Sequence, residues 1–243
     1  MINRGKSDTQ ELNINKSQKH ATAVRETLDT LLAASIEEFD TAEIEKRCKS
    51  IHAYSRLSQK SAAAQQVLSP AWERLCEVFV RLWADKEKGE FSLSPSITKA
   101  DTTNNTAAEP DTAIESQSNP SNGPPRVTQV FQSVVKWLWN TTDHLESICA
   151  QVLQQGLVAR FATDLSSTLF LSHMNYDADK DVVNFCMRGY MGVVFNTVRR
   201  QNLNLPLITA ARDLGLVGIL KEYTKSKCVY CSLVANSFIN LSF

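Results

Sequence analysis

The strongest constraint on this chain is an internal repeat. The segment CAQVLQQGLVARFATDLSS, which starts at Cys149, lies over ITAARDLGLVGILKEYTKS, which starts at Ile208, without a gap. Gly156-Leu157-Val158 falls on Gly215-Leu216-Val217. In each copy a short helical pattern ends at the glycine, and an amphipathic pattern follows with apolar residues at Leu157, Val158 and Phe161, or at Leu216, Val217, Ile219 and Leu220. Glycine suits that junction because it adopts the positive φ that turns the chain sharply between two helices. A longer apolar helix follows each unit, Val182 to Arg199 in the first and Cys228 to Asn240 in the second. Each unit therefore carries three helices.

The rest of the chain reads as helical too. No alternating run of Val, Ile or Thr bounded by Asn-Gly or Asp-Gly marks a hairpin, and only 8 of 243 residues are glycine. The expected class is all-α. Residues 1–18 are polar with almost no periodicity and read as a disordered tail. Residues 19–88 form a small N-terminal helical module. Its apolar period runs through Val24, Leu28, Leu31, Ile36, Phe39, Ile44, Cys48 and Ile51, and a further helix is expected to start at Ser69-Pro70 and end at Gly89. Residues 89–126 hold five of the seven prolines among Ser, Thr, Asn and Asp. They read as a disordered linker, because ordering costs roughly 1–2 kcal/mol per residue and this segment has little apolar surface to offset it. Residues 127–243 contain the repeat.

A short helix, a glycine, a second helix and a long buried third helix ending near an Asn together resemble armadillo repeats. The likeness covers 127–243, and DLGLVGILKEYTKS carries it best. It implies a right-handed superhelix of stacked helices whose surface binds a protein or peptide partner. Asn196 and Asn240 match the third-helix Asn that holds a partner's backbone in that family. The units are also similar to armadillo-like segments that precede signalling modules in large animal adaptor proteins, which implies a fragment of such a protein.

Charge narrows the partner. With 26 Lys+Arg against 26 Asp+Glu the chain offers no field for phosphate backbones, so nucleic acid is not expected. Cys48, Cys76, Cys149, Cys186, Cys228 and Cys231 sit in apolar helical patterns with no secretory signal ahead of them, which suits reduced thiols in the cytoplasm. The lone Cys228-x-x-Cys231 lacks the further ligands of a zinc site and reads as core. His20, His52, His144 and His173 follow no metal or nucleophile signature, and no phosphate-binding glycine loop or nucleophile elbow occurs. No catalytic, cofactor or metal residue is nominated, and the chain is read as no enzyme. The Asp177, Asp179, Asp181 run lacks the glycine and glutamate of a calcium loop and reads as a solvated loop capping the helix that starts near Asp181. Trp72, Trp83, Trp137 and Trp139 are expected mostly in the core; Trp137 and Trp139 do not share a helix face, so one of them is a candidate interface anchor.

Cys228 to Phe243 carries no charge in sixteen residues. Such a helix needs a cover, from further units of a longer protein, from a partner or from the front helices. The expected function is a non-catalytic interaction scaffold. The alternative is a membrane-peripheral or tail-anchored helical protein that inserts this last helix into lipid. Sixteen residues with Asn236 and Asn240 among them fall short of the roughly 20 that a span needs, so membrane is the less expected partner.

Overall fold

The computed structural model describes residues 4–33, 40, 42–44, 46–47, 66–93, 126–174 and 181–242. Every labelled element among them is helical, and none is a strand. In chain order they are α1 (Arg4–Ala33), α2 (Leu75–Glu87), α3 (Arg126–Thr142), α4 (Glu146–Gln154), α5 (Leu157–Ser166), α6 (Thr168–His173), α7 (Val182–Val198), α8 (Asn204–Asp213), α9 (Leu216–Tyr223) and α10 (Val229–Ser242). The expected linker residues 94–125, the calcium-like run from Asn175 to Lys180, Cys48 and His52 lie outside the described residues.

The glycine junctions of the repeat have the geometry its sequence requires. Gly156 has φ +66° and opens α5, and Gly215 has φ +68° and opens α9. Corresponding positions are buried in both units: Ile148 with Leu207, Cys149 with Ile208, Val152 with Ala211, Leu157 with Leu216, and Phe161 with Leu220. Two copies of one pattern thus bury the same faces. Before, between and after the two units run the long helices, α3 packed on α7 and α7 on α10.

The contact between α3 and α7 is unusually close, and two glycines make it so. A Cβ on Gly189 would stand 2.3 Å from Val135 Cγ1, and one on Gly192 would stand 2.3 Å from Trp139 Nε1. The i, i+3 spacing puts both glycines on one face of α7, so α3 settles into the groove that they leave. The end of α3 is then fixed by polar side chains from beyond that face. Asn196 Nδ2 donates to Trp139 O at 3.1 Å and to Thr142 Oγ1 at 3.3 Å, and Arg200 Nη2 donates to Thr142 O at 2.9 Å. These donors satisfy carbonyls that a helix C-terminus leaves without partners.

The front helices join the same core. Trp72 meets Trp137 with ring centroids 5.9 Å apart, and Phe79 meets Phe131 at 5.6 Å. Three expectations need correction. The helix expected to start at Ser69-Pro70 instead opens as a 3₁₀ turn, Ser69–Trp72, and α2 begins at Leu75, with no side-chain cap from Ser69. Proline has no N–H for the i→i−4 ladder, so the chain tightens locally there. The expected tail lies partly in α1, which runs from Arg4, although its described buried face begins at Ala21. Ordered packing also passes Gly89 into the stretch read as linker: Phe91 and Leu93 are buried, Phe91 lies 5.6 Å from Phe131, and Thr128 Oγ1 donates to Ser92 O at 3.1 Å. Two apolar side chains, four and six residues past the helix, find room beside α3, which a composition average conceals.

Gly192→Ala is expected to cost about 1–3 kcal/mol, because a methyl there collides with the Trp139 indole in a packed core. Gly215→Ala meets nothing within 4 Å and should cost only the roughly 1 kcal/mol of a left-handed alanine. Urea unfolding of both variants checks the order.

Candidate interaction surface

Two arrangements stand out, one inside the fold and one on its surface. The inner one is centred on Asp164, in α5. Counting from Leu157 and Phe161, position 164 falls on the same buried face, and only 4% of Asp164 is exposed. Its carboxylate accepts from three side chains of the fold's interior. Tyr190 O–H donates to Oδ2 at 2.9 Å, Trp83 Nε1 donates to Oδ2 at 3.2 Å, and the Lys86 ammonium is hydrogen-bonded to Oδ1. Lys86 also pairs with Glu87 at 3.1 Å and lies over the Trp83 ring at 5.3 Å. Trp83 and Lys86 come from α2, Asp164 from α5 and Tyr190 from α7, so this node ties the front module to the second and third helices of the first unit.

Burial pushes the Asp164 carboxyl above its usual value, against the Lys86 ammonium that draws it down. Burial likewise raises Tyr190 well above the ordinary phenol range, with the Asp164 carboxylate adding to it. The Tyr190 ring is held in an aromatic column, stacked on Phe161 at 4.6 Å and on Phe170 at 5.7 Å, with Phe79 edge-on at 5.9 Å. A carboxylate enclosed this way has no route to a substrate and acts as a structural anchor. In the second unit Tyr223 takes the position of Asp164, and its O–H donates to Leu165 O at 2.9 Å. The equivalent position thus carries a polar tether in both copies.

The outer arrangement lies along the row of long helices. Trp139 of α3, Phe185 of α7 and Tyr230 of α10 meet at half-buried positions, with Trp139 6.5 Å from Phe185 and 5.1 Å from Tyr230. Further along α7, Arg199 lies over the half-buried Phe195 ring at 5.6 Å. The segments 126–142, 182–198 and 229–242 contain Arg126, Lys136 and Arg188 and not one Asp or Glu. Of the neighbouring pair, Trp137 is fully buried and Trp139 reaches the surface.

The two carried-over asparagines part company. Asn196 is 6% exposed and its amide hydrogens serve the end of α3, whereas Asn240 is exposed on α10. The thiols of Cys76, Cys149, Cys186 and Cys231 are buried, and burial raises Cys76 to about 12. Asp181 caps α7 as its position implies, its Oδ1 accepting from Val183 N at 3.0 Å. His173 Nε2 lies 3.7 Å from Asp181 Oδ2, and burial pushes the His144 imidazole below its usual value. No helix among the described residues is long and apolar enough to cross a membrane.

Sequence reasoning missed Asp164, Phe185 and Tyr230. For Asp164 a signal was present, since an acid at a position three residues after Phe161 breaks an otherwise apolar face and needs buried partners. Phe185 and Tyr230 sit in helices so apolar that the pattern does not separate surface from core.

Removing one partner of a buried pair strands the other, so Asp164→Ala is expected to destabilise the fold by about 3–5 kcal/mol. Asp164→Asn with Lys86→Met keeps an acceptor for Tyr190 and Trp83 and removes the stranded ammonium, and should recover most of that loss in urea titrations. A carboxyl whose folded value is raised holds its proton more tightly folded than unfolded. Its contribution to stability is therefore complete below the ordinary 3.8 and is lost as pH rises through the raised value. Unfolding midpoints at pH 4 and pH 7 should accordingly shift in favour of Asp164→Asn over the parent chain as pH rises.

No family model, no curated protein and no solved structure matches this chain.

Proposed function

We propose that this chain is a non-catalytic protein-interaction scaffold, an armadillo-like right-handed superhelix whose row of long helices holds an extended segment of a partner protein. The observation that carries the reading is the line of Trp139, Phe185 and Tyr230, one ring from each long helix, partly buried against the core where an interface anchor would sit. Half-buried aromatic rings on rigid helices bind at small entropic cost because little side-chain freedom is left to lose. The absence of carboxylates from these three helices favours an acidic or neutral segment. Asn196 supports the surface by fixing the end of α3 beneath it, while the carried-over Asn240, exposed on α10 about 80° around the helix from Tyr230, lies beside the aromatic line and not in it. Reduced, buried thiols suit a cytoplasmic setting.

A displayed peptide library selected on the purified chain tests this. Recovered peptides should bind saturably with Kd on the order of micromolar, which corresponds to about 8 kcal/mol. Lys136→Glu and Tyr230→Ser should each weaken them on the order of tenfold, about 1.4 kcal/mol, with Lys136→Glu leaving the thermal midpoint unchanged. Leu205→Ser, at an exposed site outside the row, should leave binding intact. Failure to recover any saturable peptide, or equal affinity in all three variants, sinks the reading.

A further inference from the structure

The last helix, α10, presents apolar residues on two opposite faces. Cys231, Val234, Ala235 and Phe238 form the inner one, buried against α7 and α9. On the opposite side Val229 is 71% exposed and Leu233 61% exposed, and the exposed Asn236 and Asn240 continue the same stripe.

The outer stripe also has a particular spacing. Val229, Leu233, Asn236 and Asn240 follow one another at intervals of four, three and four residues, which is the seam of a two-stranded coiled coil over two heptads. We propose that this seam is a contact between two copies of the chain, with α10 of one packed parallel to α10 of the other. The carboxamides single out a copy as the occupant. Against an aliphatic surface an Asn leaves a donor and an acceptor without partners, whereas against the same Asn in parallel register each amide supplies what the other lacks. Asn236 Nδ2 already donates to Ser232 O at 2.8 Å, which leaves its second N–H and its carbonyl for that exchange. An Asn at a seam position is the device that sets register and oligomer state in coiled coils. With no charge from Cys228 to Phe243, the face selects neither an acidic nor a basic partner.

The contact is small. Fourteen residues at about 1.5 Å each give a helix of roughly 21 Å, far short of the roughly 800 Å² per partner of a standard interface. The dimer therefore dissociates in the micromolar range or above. Tyr230 lies about 100° around α10 from Val229, so the seam and the aromatic line occupy different faces. The proposal goes beyond the peptide-binding reading and does not depend on it.

Sedimentation equilibrium of the full chain over a wide concentration range tests the contact. The mass should rise from 27.1 kDa toward 54.2 kDa, twice that value, as concentration increases. Leu233→Arg should hold it at 27.1 kDa throughout while its thermal midpoint stays that of the parent chain. Under mild oxidation Asn240→Cys should form a covalent dimer that the unsubstituted chain does not, because parallel register brings the two 240 positions together. A mass of 27.1 kDa at every concentration overturns the proposal, as does a dimer that Leu233→Arg leaves unchanged. A monomer that floats with phosphatidylcholine vesicles and loses this in Leu233→Arg overturns it in favour of lipid. Peptide binding abolished by Tyr230→Ser with self-association intact would separate the failure of one surface from that of the other.

Discussion

A carboxylate held away from water must find its partners within the protein, and Asp164 on α5 draws them from two other helices, α2 and α7. The penalty for burying an unpaired charge is several kcal/mol, which makes the geometry around it nearly all-or-none. Lys86 and Trp83 reach it only if α2 lies across α5, and Tyr190 reaches it only if α7 passes behind. The hydrophobic surfaces of these helices would tolerate several sliding arrangements; the hydrogen bonds admit one. The front module is therefore part of the same folded body as the repeat, and its position across the first unit follows from a single buried acid.

The two glycine-hinged units show how one pattern serves two environments. In the first, position 164 is an acid because α2 brings a lysine and an indole to it. In the second, the equivalent Tyr223 has no such neighbours to answer and spends its hydroxyl on the Leu165 carbonyl instead. Each copy thus uses one polar group to hold its neighbour at a fixed distance, with the identity of that group set by what packs over it. The long helices pack in sequence, α3 on α7 and α7 on α10. Gly189 and Gly192 then draw α3 against α7, and the bulk they give up is filled by Val135 and Trp139.

Much of this was legible in the residues. The period of apolar side chains yields the class, and the gapless overlay of Gly156 on Gly215 yields the junctions, because a positive φ is a demand on one residue type that a sequence states openly. The buried positions of both units follow from the same overlay. Other features depend on partners far along the chain and leave no local trace. Phe91 and Leu93 sit in a Ser- and Pro-rich stretch whose average hides them, and only α3 gives them a place. Ser69 and Pro70 read as a helix start because both suit one, yet the chain runs through them as a 3₁₀ turn that delivers Trp72 to Trp137. Trp139, Phe185 and Tyr230 are separated by up to ninety-one positions, and their meeting is a property of the row and of no single segment.

The two ends of that row differ in kind, and the difference bears on what each can bind. At the α3 end the outer layer is α2 and α1, whose contact is finished with ions: Arg74 meets Asp29 at 2.6 Å, and Arg81 donates to Leu31 O at 2.5 Å. The half-exposed Arg74–Asp29 pair adds little to stability. At the α10 end no such finish exists, and valine, leucine and asparagine face outward at seam spacing. Water is excluded readily from that face and poorly from the other. The two ends of the row thus differ in what they offer to water, an ion pair at one and valine, leucine and asparagine at the other.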